Sequence, residues 1–382
     1  MPERYLPYGH QTVDDDDVDA VARVLRSEYL TTGPEVEAFE AALVEESGAS
    51  FAAAVNSGTS ALHAGYAAIG VGPGAEIVTS PMTFAATGNA ALYLGARPVF
   101  VDIDPSTGLI DPLLVEGAIT GRTRAIVAID YAGLPADYDA LRRIADEHDL
   151  KLVADAAHSL GATDSGRPVG TLADVTALSF HPVKLITTGE GGAVLTNDAA
   201  VHARVLQFRS HGMVYEQSRM SHDEGPWYME MQGLGFNYRM TDIQCALGRS
   251  QLSKLPGFLA RRRAIADRYD RDLSSVSGLE LPGRREGAES AWHLYVVRVS
   301  DAARRRAFFE ALRRCGIGVQ VHYLPVYRHP YYQDLGYARG LCPRAEDFYA
   351  RALSLPIFPG LTDGDIERVI ETVTAVAREV LA

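Results

Sequence analysis

Short apolar runs rich in β-branched residues recur along the first half of the chain, and segments with helical spacing separate them. In one such segment, DYDALRRIADEHDL, the residues Leu141, Ile144 and Ala145 fall on one face of a helix. This alternation is typical of βαβ units, in which helices cover both faces of a mostly parallel sheet. The runs that predict strands are FAAAV at 51–55, EIVTS at 76–80, RPVFVDI at 97–103, AIVAID at 125–130, KLVADAA at 151–157 and VTALSF at 175–180.

The pattern changes near residue 250. A long charged helix follows, then a strand-like run HLYVVRV, another helix and a predicted strand GIGVQVHYLP. We therefore predict a large α/β domain over residues 1–250, including an N-terminal arm, and a smaller α+β domain over residues 251–382. The 382 residues, of which 47% are hydrophobic, are enough to form two cores.

Charge and composition exclude several classes of function. The formal net charge is −13, so the surface repels a phosphate backbone and we expect no nucleic-acid partner. We find neither a signal peptide nor an apolar stretch long enough to span a bilayer, and we expect a cytoplasmic protein without a membrane partner. Because Cys245, Cys315 and Cys342 lack C-x-x-C spacing, we expect no metal.

Ligands of parallel α/β proteins gather at the carboxyl ends of the strands, so the residues that follow each run are the candidates for chemistry. After the run FAAAV, the residues Ser57, Gly58 and Thr59 open a helix in the segment NSGTSALHAGYAAIG. Free backbone N–H groups and the positive end of a helix favour a phosphate there. An ordinary N-cap is the alternative at this position.

Two further turns carry ionisable residues. The run KLVADAAHSLGA places Asp155 near the end of an apolar strand and His158 three residues later. A buried carboxylate needs a partner, which is either a cation such as a protonated ring nitrogen or the amides of the turn. In VTALSFHPVKLITTGEGG, Lys184 lies among apolar residues and glycines, where loss of water lowers the pKa of an amine and makes it a nucleophile. A lysine on a solvent-exposed loop is the alternative.

The segment GLGFNYRMTDIQCALG is a polar loop before an amphipathic helix. It contains Asn237, Tyr238 and Arg239. Its spacing does not assign these residues to any of the sites above.

Several of these segments, taken together and in this order, resemble the DegT/DnrJ/EryC1/StrS family of sugar aminotransferases. The resemblance runs from about Tyr8 through SLPIFPGLTDGDI, nearly the whole chain. It implies a fold type I transferase that depends on pyridoxal 5'-phosphate, with a large domain built on a mostly parallel sheet and a smaller α+β C-terminal domain. The segments are SGTSALH, PMTFAATGNA, VFVDIDP, DAAHSLGA, SFHPVKLITTGEGGAV, RSHGM and GFNYRMTDIQCALG.

The resemblance implies a role for each matching residue around the cofactor. Lys184 matches the catalytic lysine that forms the Schiff base. Asp155 matches the carboxylate that keeps the pyridine nitrogen protonated, so that the ring draws electrons from the reacting carbon. Phe84 matches an aromatic residue that stacks on the ring. His158 matches a position beside the phenolic oxygen, where related members often carry Gln.

The resemblance also implies how the phosphate of the cofactor is held. Ser57, Gly58, Thr59 and Ser179 match residues that contact the phosphate within one chain. Asn237 matches a contact that the other subunit supplies. We therefore expect a homodimer with shared active sites and an inactive monomer.

Within the family, SFHPVKLITTGEGG, RSHGM, VHYLPVY and SLPIFPGLT are most similar to the transaminases of pseudaminic acid biosynthesis. Those enzymes aminate C4 of a UDP-linked 4-keto-6-deoxy-N-acetylhexosamine. The resemblance thus implies this keto-sugar as the acceptor and L-glutamate as the amino donor, with ping-pong kinetics. Thr31, His181, Arg239 and His322 are the candidate contacts for the UDP-sugar.

Other functions remain as alternatives. One is aminotransfer to another nucleotide-linked keto-sugar, either at C3 or on a dTDP-sugar. Another is a metal-dependent glycosyltransferase, because Asp102-Ile103-Asp104 has the spacing of a DxD metal site, although Pro105 after it favours a turn. A dehydrogenase fits less well, because the glycines from Gly70 to Gly74 follow a helix rather than a strand. A cofactor-bound sensor without turnover is a fourth alternative.

Overall fold

The structure is a computed structural model that describes residues 5–381. Over this range, none of the helices is both long and apolar enough to cross a bilayer. The helices are α1 (Asp15–Leu25), α2 (Pro34–Ser47), α3 (Gly58–Ala68), α4 (Ala86–Tyr93), α5 (Pro112–Val115), α6 (Tyr138–Glu147), α7 (Ala199–Phe208), α8 (Asp242–Ser253), α9 (Leu255–Leu273), α10 (Arg305–Arg314), α11 (Pro330–Asp334), α12 (Pro343–Arg351) and α13 (Asp363–Val380). The strands are β1 (Phe51–Val55), β2 (Glu76–Thr79), β3 (Arg97–Phe100), β4 (Thr123–Ile129), β5 (Lys151–Asp155), β6 (Thr163–Asp164), β7 (Arg167–Pro168), β8 (Val175–Ser179), β9 (Gly192–Thr196), β10 (Met213–Val214), β11 (Glu230–Met231), β12 (Leu279–Glu280), β13 (Ala288–Glu289), β14 (Tyr295–Val299) and β15 (Ala352–Leu355).

Seven strands form the central sheet, in the order β1-β9-β8-β5-β4-β2-β3. Strand β9 runs antiparallel to both of its neighbours, and every other pair in the sheet is parallel. The prediction of a mostly parallel sheet is therefore confirmed, and each predicted run overlaps one of its strands. The sequence pattern does not separate β9 from the glycine-rich segment before it, so its direction could not be predicted.

The strands are apolar on both faces because helices cover both sides of the sheet. In β4, Ala125 and Val127 belong to one core, whereas Ile126 and Ala128 belong to the core on the opposite face. Helices α3, α4 and α7 pack on the first face, and α2, α6 and α8 pack on the second. The predicted helical face of Leu141, Ile144 and Ala145 is buried in this second layer, as expected.

A separate core lies in the C-terminal part of the chain. It is built from α9, β14, α10, β15 and α13, and Leu6 from the N-terminal segment joins it. The predicted boundary at 250/251 falls inside α8, whose Cys245 and Leu252 belong to the core of the central sheet. The division into two domains stays a prediction, and residues 1–4 and 382 of the predicted domains lie outside the described residues.

The predicted strand GIGVQVHYLP, at residues 316–325, is wrong. The segment forms only isolated bridges, between Ile317 and Leu6 and between Gln320 and Ser354. Its alternating apolar residues are explained by burial without strand pairing, since Ile317 and Val319 both enter the C-terminal core. After Gln320 the chain leaves β15 and turns toward the edge of the central sheet.

Candidate active site

A cavity of about 630 Å³ opens at the edge of the central sheet where β5 and β8 end. Small-molecule sites commonly measure about 300–1,000 Å³, so the cavity has room for a cofactor and a substrate. Its walls come from the first turn of α3, the loop between β8 and β9, and residues 320–323 of the C-terminal part. The predicted site residues that line it are Ser57, Gly58, Thr59, Phe84, Asp155, His158, Ser179, His181, Lys184 and His322.

The first turn of α3 has the form of a phosphate cradle. Ser57 is the N-cap of this helix, and its Oγ accepts a hydrogen bond of 3.0 Å from the backbone N–H of Ser60. A Cβ atom at Gly58 would lie 2.8 Å from the Cβ atom of Ser179. Only glycine lets the helix approach β8 this closely. The N-cap that the sequence offered as the alternative at this position is present.

Asp155 is a buried carboxylate at the end of β5. Its Oδ2 accepts a hydrogen bond of 2.6 Å from the hydroxyl of Thr87, and its Oδ1 accepts one of 3.3 Å from the backbone N–H of Ala157. Burial nevertheless raises the pKa of Asp155, against the effect of these donors and of Lys184. A cation bound in the cavity would stabilise this carboxylate further.

Lys184 lies in the loop between β8 and β9, and its backbone N–H donates to the carbonyl of His181 at 2.8 Å. Burial lowers the pKa of its amine to about 8, although Asp155 acts in the opposite direction. The other lysines of the chain lie elsewhere: Lys151 is exposed near Asp174, and Lys254 is paired with the carboxylates of the N-terminal helix. Lys184 is therefore the lysine that can act as a nucleophile in this cavity.

His158 lies between two aromatic neighbours from the C-terminal part of the chain. Its ring centroid is 4.3 Å from that of His293 and 6.1 Å from that of Tyr323. The hydroxyl of Tyr323 is 3.1 Å from Nε2 of His158. Burial, followed by the nearby charge of Lys184, holds the pKa of His158 well below its usual value. The ring is therefore neutral.

The outer part of the cavity is also aromatic. Phe84 is 65% exposed, so its ring is free to cover a planar group. Nδ1 of His322 is 2.8 Å from the hydroxyl of Ser354, and burial lowers the pKa of His322 to about 3. The ring of Tyr8 packs against His322 at 5.1 Å.

Three predicted site residues do not line the cavity of their own chain. Asn237 is exposed, and its backbone carbonyl accepts a hydrogen bond of 3.3 Å from Nδ2 of Asn56. Arg239 forms an isolated bridge with Val55, beside the phosphate cradle. Thr31 is exposed and bridges to the residue before α8.

The sequence model of the DegT/DnrJ/EryC1/StrS aminotransferase family matches residues 11–374. The chain belongs to this family. The spore coat polysaccharide biosynthesis protein SpsC of Bacillus subtilis is 38% identical over 379 residues, which are 98% of this chain and 97% of that protein. Helicobacter pylori PseC, an aminotransferase involved in the biosynthesis of pseudoaminic acid, has a TM-score of 0.93 at 34% identity, over 98% of this chain and 100% of that chain. Streptococcus pneumoniae Spr1654 in its PLP form has a TM-score of 0.92 at 31% identity, over 99% and 100%.

The protein is thus a sugar aminotransferase with the type I fold, and it depends on pyridoxal phosphate. The predictions of the family, the fold class, the cofactor and an enzymatic activity are confirmed. The chemistry of the cavity fits this cofactor. The helix N-terminus suits its phosphate, buried Asp155 suits its ring nitrogen, and Lys184 suits its aldehyde.

Three residues that line the aminotransferase's cavity were not predicted from the sequence. Thr87, which holds Asp155, lies within the quoted segment PMTFAATGNA, so only its role was unassigned. Tyr323 follows the predicted His322 directly, and His293 begins the strand-like run HLYVVRV. Each lies far along the chain from its partner in the site, and spacing gives no signal for such contacts.

The DxD segment has a structural role in this enzyme. The carboxylate of Asp102 accepts hydrogen bonds of 2.8 Å from the backbone N–H groups of Arg344 and Ala345, at the start of α12. Asp104 accepts one of 2.6 Å from the backbone N–H of Ser106 in the following turn. In residues 5–381 no group of three or more histidine, cysteine or acidic side chains is placed to hold a metal ion.

Proposed function

We propose that the enzyme transfers an amino group from L-glutamate to C4 of a UDP-linked 4-keto-6-deoxy-N-acetylhexosamine, in a pathway of the pseudaminic acid type. The observation that carries the aminotransfer is the meeting of Lys184 and Asp155 in one cavity. The choice of sugar is supported by the similarity to PseC over nearly the full chain. Another nucleotide-linked keto-sugar, aminated at C3 or linked to dTDP, is the second candidate, because SpsC is named for the biosynthesis of a spore coat polysaccharide.

In this proposal, the phosphate of the cofactor is held by Ser57, Gly58, Thr59 and Ser179. Asp155 holds the protonated ring nitrogen. When bound, pyridoxal phosphate supplies an electron sink for the electrons left by a broken C–H bond. These residues line the cavity together, and the buried Asp155 thereby gains a cationic partner.

In the same cavity, Phe84 would cover the ring face and His158 would lie beside the phenolic oxygen. In this proposal His181 and His322 contact the sugar, and their position in the lining of the cavity supports this role. His322 is neutral, so it contributes a hydrogen-bonding group rather than a charge.

Lys184 moves the proton in both half-reactions. Because the pKa of its amine is lowered to about 8, a useful fraction is neutral near neutral pH. Its Nζ accepts the proton from the α-carbon of glutamate, and in the second half-reaction it delivers a proton to the carbon that carried the keto group. The expected kinetics are ping-pong, since the oxo-acid leaves before the sugar reacts.

We also propose a homodimer in the cytoplasm, in which each cavity is completed by the other subunit. Within the described chain, no arginine lines the cavity, although the phosphate of the cofactor and the diphosphate of UDP both need cations. Asn237 and Arg239 lie beside the cradle without reaching in, and Thr31 is exposed nearby. The same part of the chain exposes large apolar side chains, as expected of a surface that another copy covers. They are Tyr215, Trp227, Met229, Met231 and Leu234.

The visible absorbance of the enzyme loaded with pyridoxal phosphate tests the substrates. Glutamate should remove the visible band, and the UDP-linked 4-keto-sugar should restore it in the same cuvette. Restoration by a dTDP-linked 3-keto-sugar alone would transfer the proposal to the second candidate. A band that glutamate leaves unchanged would contradict glutamate as the donor.

Shared active sites have a sharper test in mixed dimers. Asn237→Asp places a negative charge where the phosphate is expected, so this variant and Lys184→Ala should each be inactive alone. When the two variants are refolded together, a mixed dimer should regain one intact cavity, with Lys184 from one chain and Asn237 from the other. If equal amounts pair at random, about half of the dimers are mixed and each has one intact cavity, so activity should rise to about a quarter of the wild-type value. A mixture that stays inactive would show that Asn237 acts within its own chain.

A further inference from the structure

The two ring nitrogens of His158 have different surroundings. Nε2 is 3.1 Å from the hydroxyl of Tyr323. Nδ1 is buried and has no hydrogen-bond partner among the described residues, although His158 lines the cavity. A buried polar atom without a partner is costly, so Nδ1 is the atom that remains for a bound ligand.

The direction of the bond between Tyr323 and His158 follows from the acidity of the two groups. Burial holds the pKa of His158 well below its usual value and raises the pKa of Tyr323, so both groups are neutral. A phenol is a better donor than a neutral imidazole N–H, and an imidazole nitrogen is a better acceptor than a phenol oxygen. The hydroxyl of Tyr323 therefore donates to Nε2, and the ring proton of His158 lies on Nδ1.

The position of the ring is also fixed by its neighbours. The ring of His293 lies 4.3 Å away at an interplanar angle of 38°, and the ring of Tyr323 lies 6.1 Å away at 22°. His293 and His158 are both buried. A rotation of the His158 ring that exchanged its nitrogens would break the bond to Tyr323 within this packed group.

We propose that Tyr323 is a positioning residue that keeps His158 in the Nδ1–H tautomer, so that this N–H donates to the phenolic oxygen of the cofactor. The inference rests on the proposed function in one respect, the position of the cofactor's phenolic oxygen beside His158. The opposite tautomer would direct a lone pair toward an oxygen that carries negative charge, which is repulsive. Tyr323 thus acts on the cofactor through His158 and does not react itself.

Nuclear magnetic resonance on the cofactor-free protein, with ¹⁵N in the histidine rings, tests the tautomer directly. The His158 signals, assigned by their loss in His158→Gln, should show the coupling pattern of an Nδ1–H ring. In Tyr323→Phe, which keeps the aromatic ring but lacks the hydroxyl, the pattern should change to the Nε2–H form or to a mixture. Tyr8→Phe is the matched control. It removes another hydroxyl from the cavity wall, one for which the structure gives no hydrogen bond to His158, and it should leave the pattern unchanged.

A second measurement follows the effect on the cofactor. Tyr323→Phe should weaken the binding of pyridoxal phosphate by about tenfold, the loss expected for one charge-assisted hydrogen bond. The melting temperature of the cofactor-free variant should stay close to that of the wild type, which excludes misfolding as the cause. An Nε2–H ring in the wild type, or an unchanged pattern in Tyr323→Phe, would overturn the inference. Failure of the cofactor to attach to Lys184 would instead overturn the proposed function and leave the tautomer result standing.

Discussion

Replacing Lys184 with alanine is expected to abolish attachment of the cofactor and to lower the rate of aminotransfer by at least about 10⁴-fold, since both the nucleophile and the proton carrier are lost. The variant should retain its fold, because the side chain of Lys184 extends into the cavity. The measurements are the rate of the half-reaction with glutamate and the mass of the peptide that carries the cofactor after borohydride reduction. In the wild type, that peptide should contain Lys184.

Because the chain has few lysines, the site of cofactor attachment can be assigned by comparing only a few positions. Lys151→Ala is the matched control, because this lysine is exposed and its Nζ is 3.9 Å from a carboxylate oxygen of Asp174. It should leave attachment and turnover unchanged. An amine is nucleophilic only when deprotonated, so the rate of attachment should rise with pH through about 8 and level off above it. Reduced cofactor found on Lys151 or Lys254 would contradict the assignment of Lys184 as the attachment site.

The second large effect is expected from Asp155→Asn, which should slow the half-reaction with glutamate by about 10³-fold. The amide is nearly the same size and can still accept the hydrogen bond from Thr87. The neutral amide cannot balance the positive charge of a protonated ring nitrogen, so the cofactor loses much of its power to withdraw electrons. Single-turnover absorbance after mixing with glutamate gives the rate, and the cofactor should still attach to Lys184.

Asp130 offers the control for the removal of a buried carboxylate. Asp130 follows β4, the strand next to β5, which ends at Asp155. The carboxylate oxygens of Asp130 accept hydrogen bonds from Tyr138 and Ser159. Burial raises the pKa of Asp130 to about 7, so a neutral amide at this position changes little. Asp130→Asn should keep the half-reaction within about threefold of the wild type. Equal losses in the two variants would show that the effect of Asp155 is not specific to the cofactor.

Much of this site could be predicted from the sequence because parallel strands end at one edge of a sheet. Asp155 and Ser179 end the adjacent strands β5 and β8, and Ser57 follows β1, so a pattern of strands already placed them together. The resemblance to a family then assigned roles that spacing left open. Thr31, Asn237 and Arg239 are different, since none of them lines the cavity of its own chain, and of the three only Asn237 was predicted to act from the other subunit.

The contacts that were missed join segments distant in sequence. Tyr323 lies 165 residues after His158, and Thr87 lies 68 residues before Asp155. The first pair depends on how the C-terminal part of the chain packs against the sheet edge, and the second on how α4 packs on the sheet. Local hydrophobic periodicity does not contain that information. The same limit explains the false strand at 316–325, whose apolar residues are buried without forming a regular ladder.

The cavity has one wall on the central sheet and another on loop residues that connect the elements of the C-terminal core. Lys184 and Asp155 belong to the first wall, whereas His293, His322 and Tyr323, from the C-terminal part of the chain, belong to the second. A ligand that binds only when both walls are in place stabilises the folded state of both. The stabilisation is about 2.7 kcal/mol when the ligand is in hundredfold excess over its dissociation constant. Substitutions deep in the C-terminal core will therefore lower the apparent affinity for the cofactor. The colour of the purified enzyme thus becomes a measure of how well a region remote from the reacting atoms is folded.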